Sequence, residues 1–389
     1  MLNIKTSLSL LIFLFAINLS GSSQLVSKGL TVKEVEMETG RAIKDYQEKI
    51  AAAAKNDWEK QKIIIGDDSL IFQYKIFGEK PADGRSLYIS LHGGGNGPAK
   101  MNDQQYKNQL RLYTPAEGVY FVPRAPSNTW NMWHQAPVDG LLERVIEDAI
   151  IMEGVNPNKV YLMGYSAGGD GVYQLAPRMA DHWAAAAMMA GHPGDAQIMN
   201  LRNLPFWMAV GEKDGAYNRN GLAKEWGNRL DSLEKTDKGA FIHDAHIMAG
   251  MPHWMKQQDT ISVAWMAKFK RNPYPAKVNW VQDDEVRNQF YWLAVPANVS
   301  KKGNAVFASY NKQEITIQKN DNDTLYVLLN DKMMNLDKPV ILKKDGKVLF
   351  KGKVIRRKAI IQQTFSARHD ADFVFSAGIV VVKDKAILM

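Results

Sequence analysis

Between residues 62 and 270, strand patterns alternate with amphipathic helix patterns, and no other feature limits the fold as strongly. The strand patterns, such as KVYLMGYS, are largely apolar, whereas stretches between them, such as GLLERVIEDAIIMEG, repeat their apolar residues with the period of a helix. Strands that are apolar on both faces need cover on both faces, which favours a mostly parallel sheet between layers of helices. We therefore predict an α/β domain over residues 62–274.

A second pattern begins after the proline-containing stretch RNPYPAKVNW at residues 271–280. The helical period fades there, and short strand patterns such as EITIQ and TLYVLLN follow. Asp345-Gly346 separates two apolar runs, which is a strong signal for a β-hairpin. These features predict a small all-β domain over residues 278–389.

The N-terminus has the layout of a secretory signal peptide. Lys5 precedes an apolar run from Leu8 to Ile17, and small residues follow at positions 20–23. The run is shorter than the roughly 20 residues that a spanning helix needs, so we predict a cleaved signal peptide over residues 1–23 and no stable membrane span. The chain has no cysteine, which excludes disulfides and a lipid-modified cysteine and favours the periplasm or exterior of a bacterium.

Residues 24–61 are predicted to form a helical segment ahead of the α/β domain. Thr31 and Glu34 have the spacing of a capping box at the start of a helix. Ile43, Tyr46 and Ile50 then recur at helical spacing, so we expect this helix to pack on the main domain.

Composition argues against several classes of function. Hydrophobic residues make up 46% of the chain and charged residues 23%, which is ordinary for a globular protein. The net charge of +8 is not concentrated in a dense Lys/Arg block among aromatic residues, so a nucleic-acid partner is not expected. No group of residues has convincing metal-ligand spacing along the sequence, and we predict neither a metal nor a cofactor.

One serine stands in a sequence that is typical of a catalytic nucleophile. The stretch GYSAG, residues 164–168, places Ser166 between a strand pattern and a helix pattern, which is the setting of a nucleophile elbow. Such a turn exposes the hydroxyl, and the free N–H groups of the following helix favour an oxyanion. We predict Ser166 as a nucleophile, with a purely structural glycine turn as the alternative.

A serine nucleophile needs a base and an acidic residue that orients the base. In this setting they follow the serine in the order acid, then histidine, and each follows a strand. Asp214 lies in the turn after the strand PFWMAVG, and His253 lies in the loop after the last strand of the alternating pattern. We predict Asp214 as the acid and His253 as the base. The weaker candidates by position are Asp170 and Asp195 for the acid and His243 and His246 for the base.

An oxyanion also needs backbone donors. Ala167 follows the nucleophile, and the glycines of YISLHGGGNG follow an early strand, where the second donor is expected. We predict the N–H groups of Ala167 and Gly94 as donors, with Gly95 as the alternative to Gly94. A phosphate-binding loop is excluded because GGGNGPAK does not match its pattern.

Aromatic residues follow another strand, in the stretch SNTWNMWHQ at residues 127–135. If this stretch overhangs the site, Trp130, Trp133 and His134 form a wall for an acyl, aryl or sugar group. Packing of the same residues into the core is the alternative. The sequence leaves both open.

These elements together resemble the α/β-hydrolase superfamily over about residues 62–270. Within it, LHGGGNGPAKMNDQQYKNQ, VPRAPSNTWNMWHQ and AGHPGD are similar to bacterial exported esterases of the phospholipase/carboxylesterase and polyester-depolymerase-like groups. The polyester-depolymerase pattern has a cysteine in its His-Gly loop, where this chain has glycine, which weakens the case for a polyester substrate. The resemblance implies an α/β-hydrolase fold and serine esterase activity.

We therefore predict an exported serine hydrolase that cleaves a carboxylic ester through an acyl-enzyme. Its substrate would be a small or polymeric ester, including one linked to carbohydrate. A peptidase of the prolyl-oligopeptidase type shares the order of the three residues, but such enzymes usually have an N-terminal propeller, and residues 1–61 alone precede the alternating pattern. A non-catalytic protein that binds carbohydrate or a cell surface is the second alternative.

Overall fold

A computed structural model describes residues 28–297 and 299–389 of the chain. The predicted signal peptide, residues 1–23, lies outside the described residues. Within those ranges, no helix combines the length and the apolar character needed to cross a membrane.

The first part of the fold is built on a mixed sheet. Its strands are β1 (Lys62–Ile65), β2 (Asp68–Phe77), β3 (Arg85–Leu91), β4 (Gly118–Arg124), β5 (Val155–Tyr165), β6 (Ala185–Met189), β7 (Phe206–Gly211) and β8 (His243–Met248). They lie in the order β1-β2-β4-β3-β5-β6-β7-β8. β1 and β2 pair antiparallel, β2 runs antiparallel to β4, and all strands from β3 to β8 pair in parallel. The predicted α/β-hydrolase fold is confirmed.

Helices cover both faces of this sheet. They are α1 (Val32–Lys60), α2 (Ala99–Gln109), α3 (Ala136–Glu153), α4 (Ala167–Arg178), α5 (Arg219–Thr236) and α6 (Ile261–Met266). Alternate residues of β5 point to different faces, so Leu162 belongs to one apolar cluster while Tyr161 and Met163 belong to another. Helices α3, α4 and α5 contribute to the first cluster and α2 and α6 to the second, which explains why the strands are apolar throughout.

Helix α1 begins with the predicted capping box. The hydroxyl of Thr31 accepts from the backbone N–H of Glu34 at 3.3 Å, and the Glu34 carboxylate accepts from the Thr31 N–H at 2.7 Å. Near the other end of the helix, Trp58 is buried and donates its indole N–H to Glu153 of α3 at 2.8 Å. The helix is therefore fixed to the main sheet at its C-terminal end.

The C-terminal part contains two five-stranded sheets. Their strands are β9 (Lys277–Val281), β10 (Gln289–Phe290), β11 (Leu293–Ala294), β12 (Ala305–Asn311), β13 (Glu314–Asn320), β14 (Thr324–Leu329), β15 (Val340–Lys344), β16 (Lys347–Gly352), β17 (Ala377–Val382) and β18 (Lys385–Leu388). The predicted hairpin joins β15 to β16, and both turn residues, Asp345 and Gly346, have positive φ. The region also contains a helix, α7 (Lys358–Arg368), which the sequence analysis did not predict.

The two parts of the fold share one core. The apolar cluster that contains Leu162 of β5 also contains Trp280 and Phe290 of the C-terminal sheets. Buried ion pairs join the parts as well, including Arg368 with Asp181. Apolar side chains and ion pairs thus contact each other across residues 274–278. The domain boundary predicted there stays a prediction.

Candidate active site

Four loops meet at the carboxyl edge of the main sheet. Because β3, β5, β7 and β8 are parallel, their C-terminal ends lie at the same edge. The glycine loop follows β3, Ser166 follows β5, Asp214 follows β7 and His253 follows β8. The topology therefore explains why residues so far apart in the sequence meet.

Ser166 occupies a strained turn between β5 and α4. Its φ of 59° and ψ of −123° lie outside the regions that residues with a side chain favour. The flanking glycines are needed for this turn, because a Cβ added at Gly164 would lie 2.3 Å from the carbonyl oxygen of Gly168, and one added at Gly168 would lie 2.1 Å from the carbonyl oxygen of Leu91. The close packing thus explains the glycine at each end of the GYSAG motif.

Ser166, His253 and Asp214 form a continuous hydrogen-bonded chain. The Ser166 Oγ lies 2.9 Å from His253 Nε2, and His253 Nδ1 lies 2.7 Å from Asp214 Oδ2. The Asp214 side chain is 1% exposed and that of His253 is 43% exposed. A carboxylate bonded to Nδ1 keeps the ring proton on that nitrogen, so Nε2 is free to take the proton of the serine hydroxyl.

The rival acids and histidines are engaged elsewhere. Within the described chain, neither Asp170 nor Asp195 makes a hydrogen bond or an ion pair with His253. Asp170 accepts from the N–H of His192 at 2.6 Å, and Asp195 pairs with Lys302. His243 and His246 lie within β8 and not in the loop after it.

Tyr165 holds the loop that carries His253. Its hydroxyl donates to the carbonyl oxygen of His253 at 2.6 Å and accepts from the N–H of Met255 at 2.9 Å. Burial raises the pKa of Tyr165, so the hydroxyl stays protonated and keeps donating. The sequence analysis missed this role, because the variable position of a Gly-x-Ser-x-Gly pattern does not indicate what its side chain contacts.

We expect Tyr165→Phe to lower kcat by about tenfold, since it removes two hydrogen bonds that position His253, the candidate base, and leaves the ring in place. The effect should fall on kcat more than on KM, because the hydroxyl is engaged by two backbone groups of the loop that carries His253. The matched control is Tyr161→Phe. Tyr161 lies in the same strand as Tyr165, and this change removes its partly buried hydrogen bond to the carbonyl oxygen of Phe269. Equal kcat losses in the two variants would mean that Tyr165 only stabilises the fold.

Two backbone N–H groups near Ser166 are free to bind an oxyanion. The N–H of Gly95 donates to Asn102 Oδ1 at 2.7 Å, whereas no acceptor among residues 28–297 and 299–389 takes the N–H of Gly94 or Ala167. Gly94 has a φ of 111°, and a Cβ there would lie 2.2 Å from Asn102 Oδ1. The geometry favours Gly94 over Gly95 as the second donor.

Asn102, which the sequence analysis did not single out, anchors the glycine loop. It is fully buried, and its amide N–H donates to Asn128 Oδ1 at 2.9 Å. The Asn128 oxygen in turn accepts from the Arg124 guanidinium at 2.5 Å. The loop after β3 is thereby tied to the loop after β4.

His92 is neutral and holds the backbone at the start of the same loop. Its Nε2 accepts from the N–H of Ala125 at 3.0 Å, so Nδ1 carries the proton and donates to the carbonyl oxygen of Gly93 at 2.6 Å. Burial lowers the pKa of His92 to about 4. The residue therefore holds the backbone and does not titrate at neutral pH.

The predicted aromatic wall is partly wrong. Trp133 is fully buried, donates its indole N–H to the carbonyl oxygen of His92 at 2.8 Å and lies against Gly171. It packs in the core and cannot contact a substrate. Trp130 is 65% exposed, and both it and His134 line a cavity beside Ser166.

Ser166 stands between two clefts. The first, called the Trp130 cleft, has a volume of about 410 Å³ and is lined by Trp130, His134, Asp170, Gln174, His192, Tyr217 and Arg219 together with the residues around Ser166. The second, called the His253 cleft, has a volume of about 590 Å³ and is lined by Gln105, Asn108, Gln109, Arg111, Leu112, Tyr165, His253, Trp254 and Gln257. Both volumes suit small organic groups.

One acidic group in the described chain has the spacing to hold a metal ion. The carboxylates of Asp195, Asp283 and Asp284 offer oxygens that all lie within 4.8 Å of one another. Lys302 pairs with Asp195, and Arg178 lies 3.8 Å from Asp284, so these cations offset part of the negative charge. Asp195 is distant in the sequence from the adjacent Asp283 and Asp284, which is why linear spacing did not indicate the group.

No protein-family model matches the chain, and no curated protein matches it. Among solved structures, the chain is similar to a thermostable esterase with 15% identity and a TM-score of 0.40, over 54% of this chain and 62% of that one. It is similar to esterase PE8 with 18% identity and a TM-score of 0.34, over 50% and 99% of the two chains. It is also similar to Est1E from Butyrivibrio proteoclasticus with 13% identity and a TM-score of 0.34, over 53% and 95%.

Proposed function

We propose that the protein is a serine hydrolase that cleaves carboxylic esters, with Ser166 as the nucleophile, His253 as the base and Asp214 as the residue that orients the base. The observation that carries the proposal is the hydrogen-bonded chain from Asp214 to the Ser166 hydroxyl. It ends at the junction of two clefts, beside the N–H groups of Gly94 and Ala167, which no acceptor in the described part of the chain takes. These are the parts that acyl transfer needs.

In the proposed reaction, Ser166 Oγ attacks the ester carbonyl while His253 Nε2 takes the hydroxyl proton. The N–H groups of Gly94 and Ala167 bind the oxyanion of the tetrahedral intermediate. His253 then passes its proton to the leaving alcohol as the C–O bond breaks, and an acyl-enzyme remains. Water, activated by the same imidazole, releases the acid and restores the serine. Asp214 orients the imidazole and stabilises the imidazolium in both halves.

We also propose that the enzyme is exported to a bacterial periplasm or exterior. The support is the signal-peptide layout of residues 1–23 and the absence of cysteine from the whole chain. Expression of the full chain in a bacterial host, followed by N-terminal sequencing, should find a mature chain that begins near residue 24. Retention of Met1 on the folded protein would contradict export.

The proposed chemistry is tested first with a fluorophosphonate, which reacts with activated serines. We expect one adduct per chain by intact mass, located on the peptide that contains Ser166. A p-nitrophenyl ester and the p-nitroanilide of the same acid then distinguish an ester hydrolase from a peptidase. A folded protein that neither takes the label nor hydrolyses esters would contradict the proposal. It would favour the alternative of a non-catalytic protein that binds carbohydrate or a cell surface.

A further inference from the structure

The two clefts differ in their relation to the proposed base. Ser166 lines both, but His253 lines only the second. His253 has to deliver a proton to the leaving oxygen, so the alcohol must leave on the side where the imidazole is exposed. The acyl group then lies on the other side of Ser166. The geometry thus gives the bound ester a direction, with its alcohol in the His253 cleft and its acyl group in the Trp130 cleft.

The His253 cleft is lined by polar side chains that have no partner in the described chain. The side chains of Gln105, Arg111 and Gln257 make no hydrogen bond or ion pair among residues 28–297 and 299–389. Carboxamides both donate and accept, and the guanidinium donates, so together they match several hydroxyl groups. An aliphatic alcohol would displace water from these groups without replacing its hydrogen bonds, which is costly.

An exposed aromatic face completes this cleft. Trp254 is 45% exposed and leans on Tyr165, with ring centroids 5.6 Å apart, and within the described residues its indole N–H makes no hydrogen bond. An indole offers a flat apolar face with one donor at its edge. A sugar ring presents C–H groups on its faces and hydroxyls around its rim, and so fits an indole surrounded by amides.

The Trp130 cleft has a different lining. Trp130 and Tyr217 are exposed there, and the Arg219 guanidinium lies over the Tyr217 ring, 4.9 Å from its centroid. The Arg219 Nε is buried without a hydrogen-bond partner in the described chain. Trp130 and Tyr217 offer aromatic faces to an acyl group, and Arg219 offers it a donor. The direction of the bound ester rests on His253, which lines only the other cleft.

We infer that the alcohol part of the substrate is a sugar, and that Trp254, Gln257 and their neighbours in the His253 cleft recognise it. This inference rests on the proposed function and specifies its substrate class. It also separates the residues that select the alcohol from those that select the acid.

The test compares two benzoates that share their acyl group and differ in the hydroxyls of the alcohol. They are the 6-benzoate of methyl α-D-glucopyranoside and cyclohexylmethyl benzoate, each an ester of a primary alcohol on a six-membered ring. We expect kcat/KM to be at least about tenfold higher for the glucoside ester, from two or three additional hydrogen bonds. The rate at which hydroxide ion hydrolyses each ester without the protein is measured as well, and it corrects the comparison for the intrinsic reactivity of the two esters.

Variants in each cleft then show which cleft recognises the sugar hydroxyls. Gln257→Ala and Trp254→Ala should bring the ratio of the two kcat/KM values towards one. Both residues lie near His253, and a change that slows the hydrolysis of both esters equally cancels in that ratio. The control, Tyr217→Ala in the other cleft, should lower both values and keep their ratio.

Two results would overturn the inference while leaving the proposed function intact. The first is a wild-type ratio near one in a protein that hydrolyses p-nitrophenyl esters. The second is a ratio that changes with Tyr217→Ala and not with Gln257→Ala, which would mean that the substrate binds in the opposite direction. Absence of fluorophosphonate labelling and of ester turnover would instead contradict the proposed function itself.

Discussion

Replacement of Ser166 by alanine is expected to lower kcat for a p-nitrophenyl ester by about a millionfold. The variant keeps the fold and the oxyanion donors but has no nucleophile, so only the background rate from binding and polarisation should remain. The measurement is turnover of purified protein, with fluorophosphonate labelling as a second readout that should disappear. A thermal unfolding curve close to that of the wild type would show that the loss is chemical.

The matched control for this variant is Ser232→Ala. Ser232 is exposed on α5 and donates to the carbonyl of Asn228 within its own helix. We expect wild-type turnover and labelling. If Ser166→Ala instead kept more than about one hundredth of the wild-type kcat, the mechanism through Ser166 would be wrong, since loss of a single oxyanion donor alone costs that much.

Asp214→Asn is expected to lower kcat by about ten thousandfold at neutral pH. The side chain is almost fully buried and accepts from His253 Nδ1 at 2.7 Å. An amide there can donate to Nδ1, which would place the ring proton on Nε2, where it prevents that nitrogen from taking the Ser166 proton.

The control for this variant is Asp195→Asn, a change of the same kind in the carboxylate that pairs with Lys302. Its kcat should stay within about twofold of the wild type, because exposed ion pairs contribute little. A loss below tenfold in Asp214→Asn would show that Asp214 does not orient the base, and Asp170 would then be the next carboxylate to test.

The sequence could single out the candidate reactive residues because each is marked by a local signal. Ser166 lies in a motif that requires glycine on both sides, and Asp214 and His253 each follow a strand of a parallel sheet. In such a sheet the chain order of strands determines which loops share an edge. The fold and the loops of the site could therefore be predicted together.

The residues that support this site could not be predicted in the same way. Tyr165 contacts the loop of His253, and Asn102 reaches Asn128, so their roles depend on contacts between distant segments. For Trp133 the sequence left a cleft wall and core packing equally open, because an aromatic residue after a strand suits both. Its burial depends on the room that Gly171 leaves beside it. Helix α7 was missed because its short pattern lies among strands.

The main sheet and the C-terminal sheets share one core, so we expect the two parts to unfold as one cooperative unit. A chain that ended at residue 276 would expose the apolar surface under Trp280 and Phe290, and it would leave the buried Asp181 without the guanidinium of Arg368. We expect a single calorimetric transition for the whole chain, and two resolved transitions would refute this. The geometry around Ser166 would then persist only as long as the C-terminal sheets stay folded, so their loss would abolish the proposed activity although they do not line either cleft.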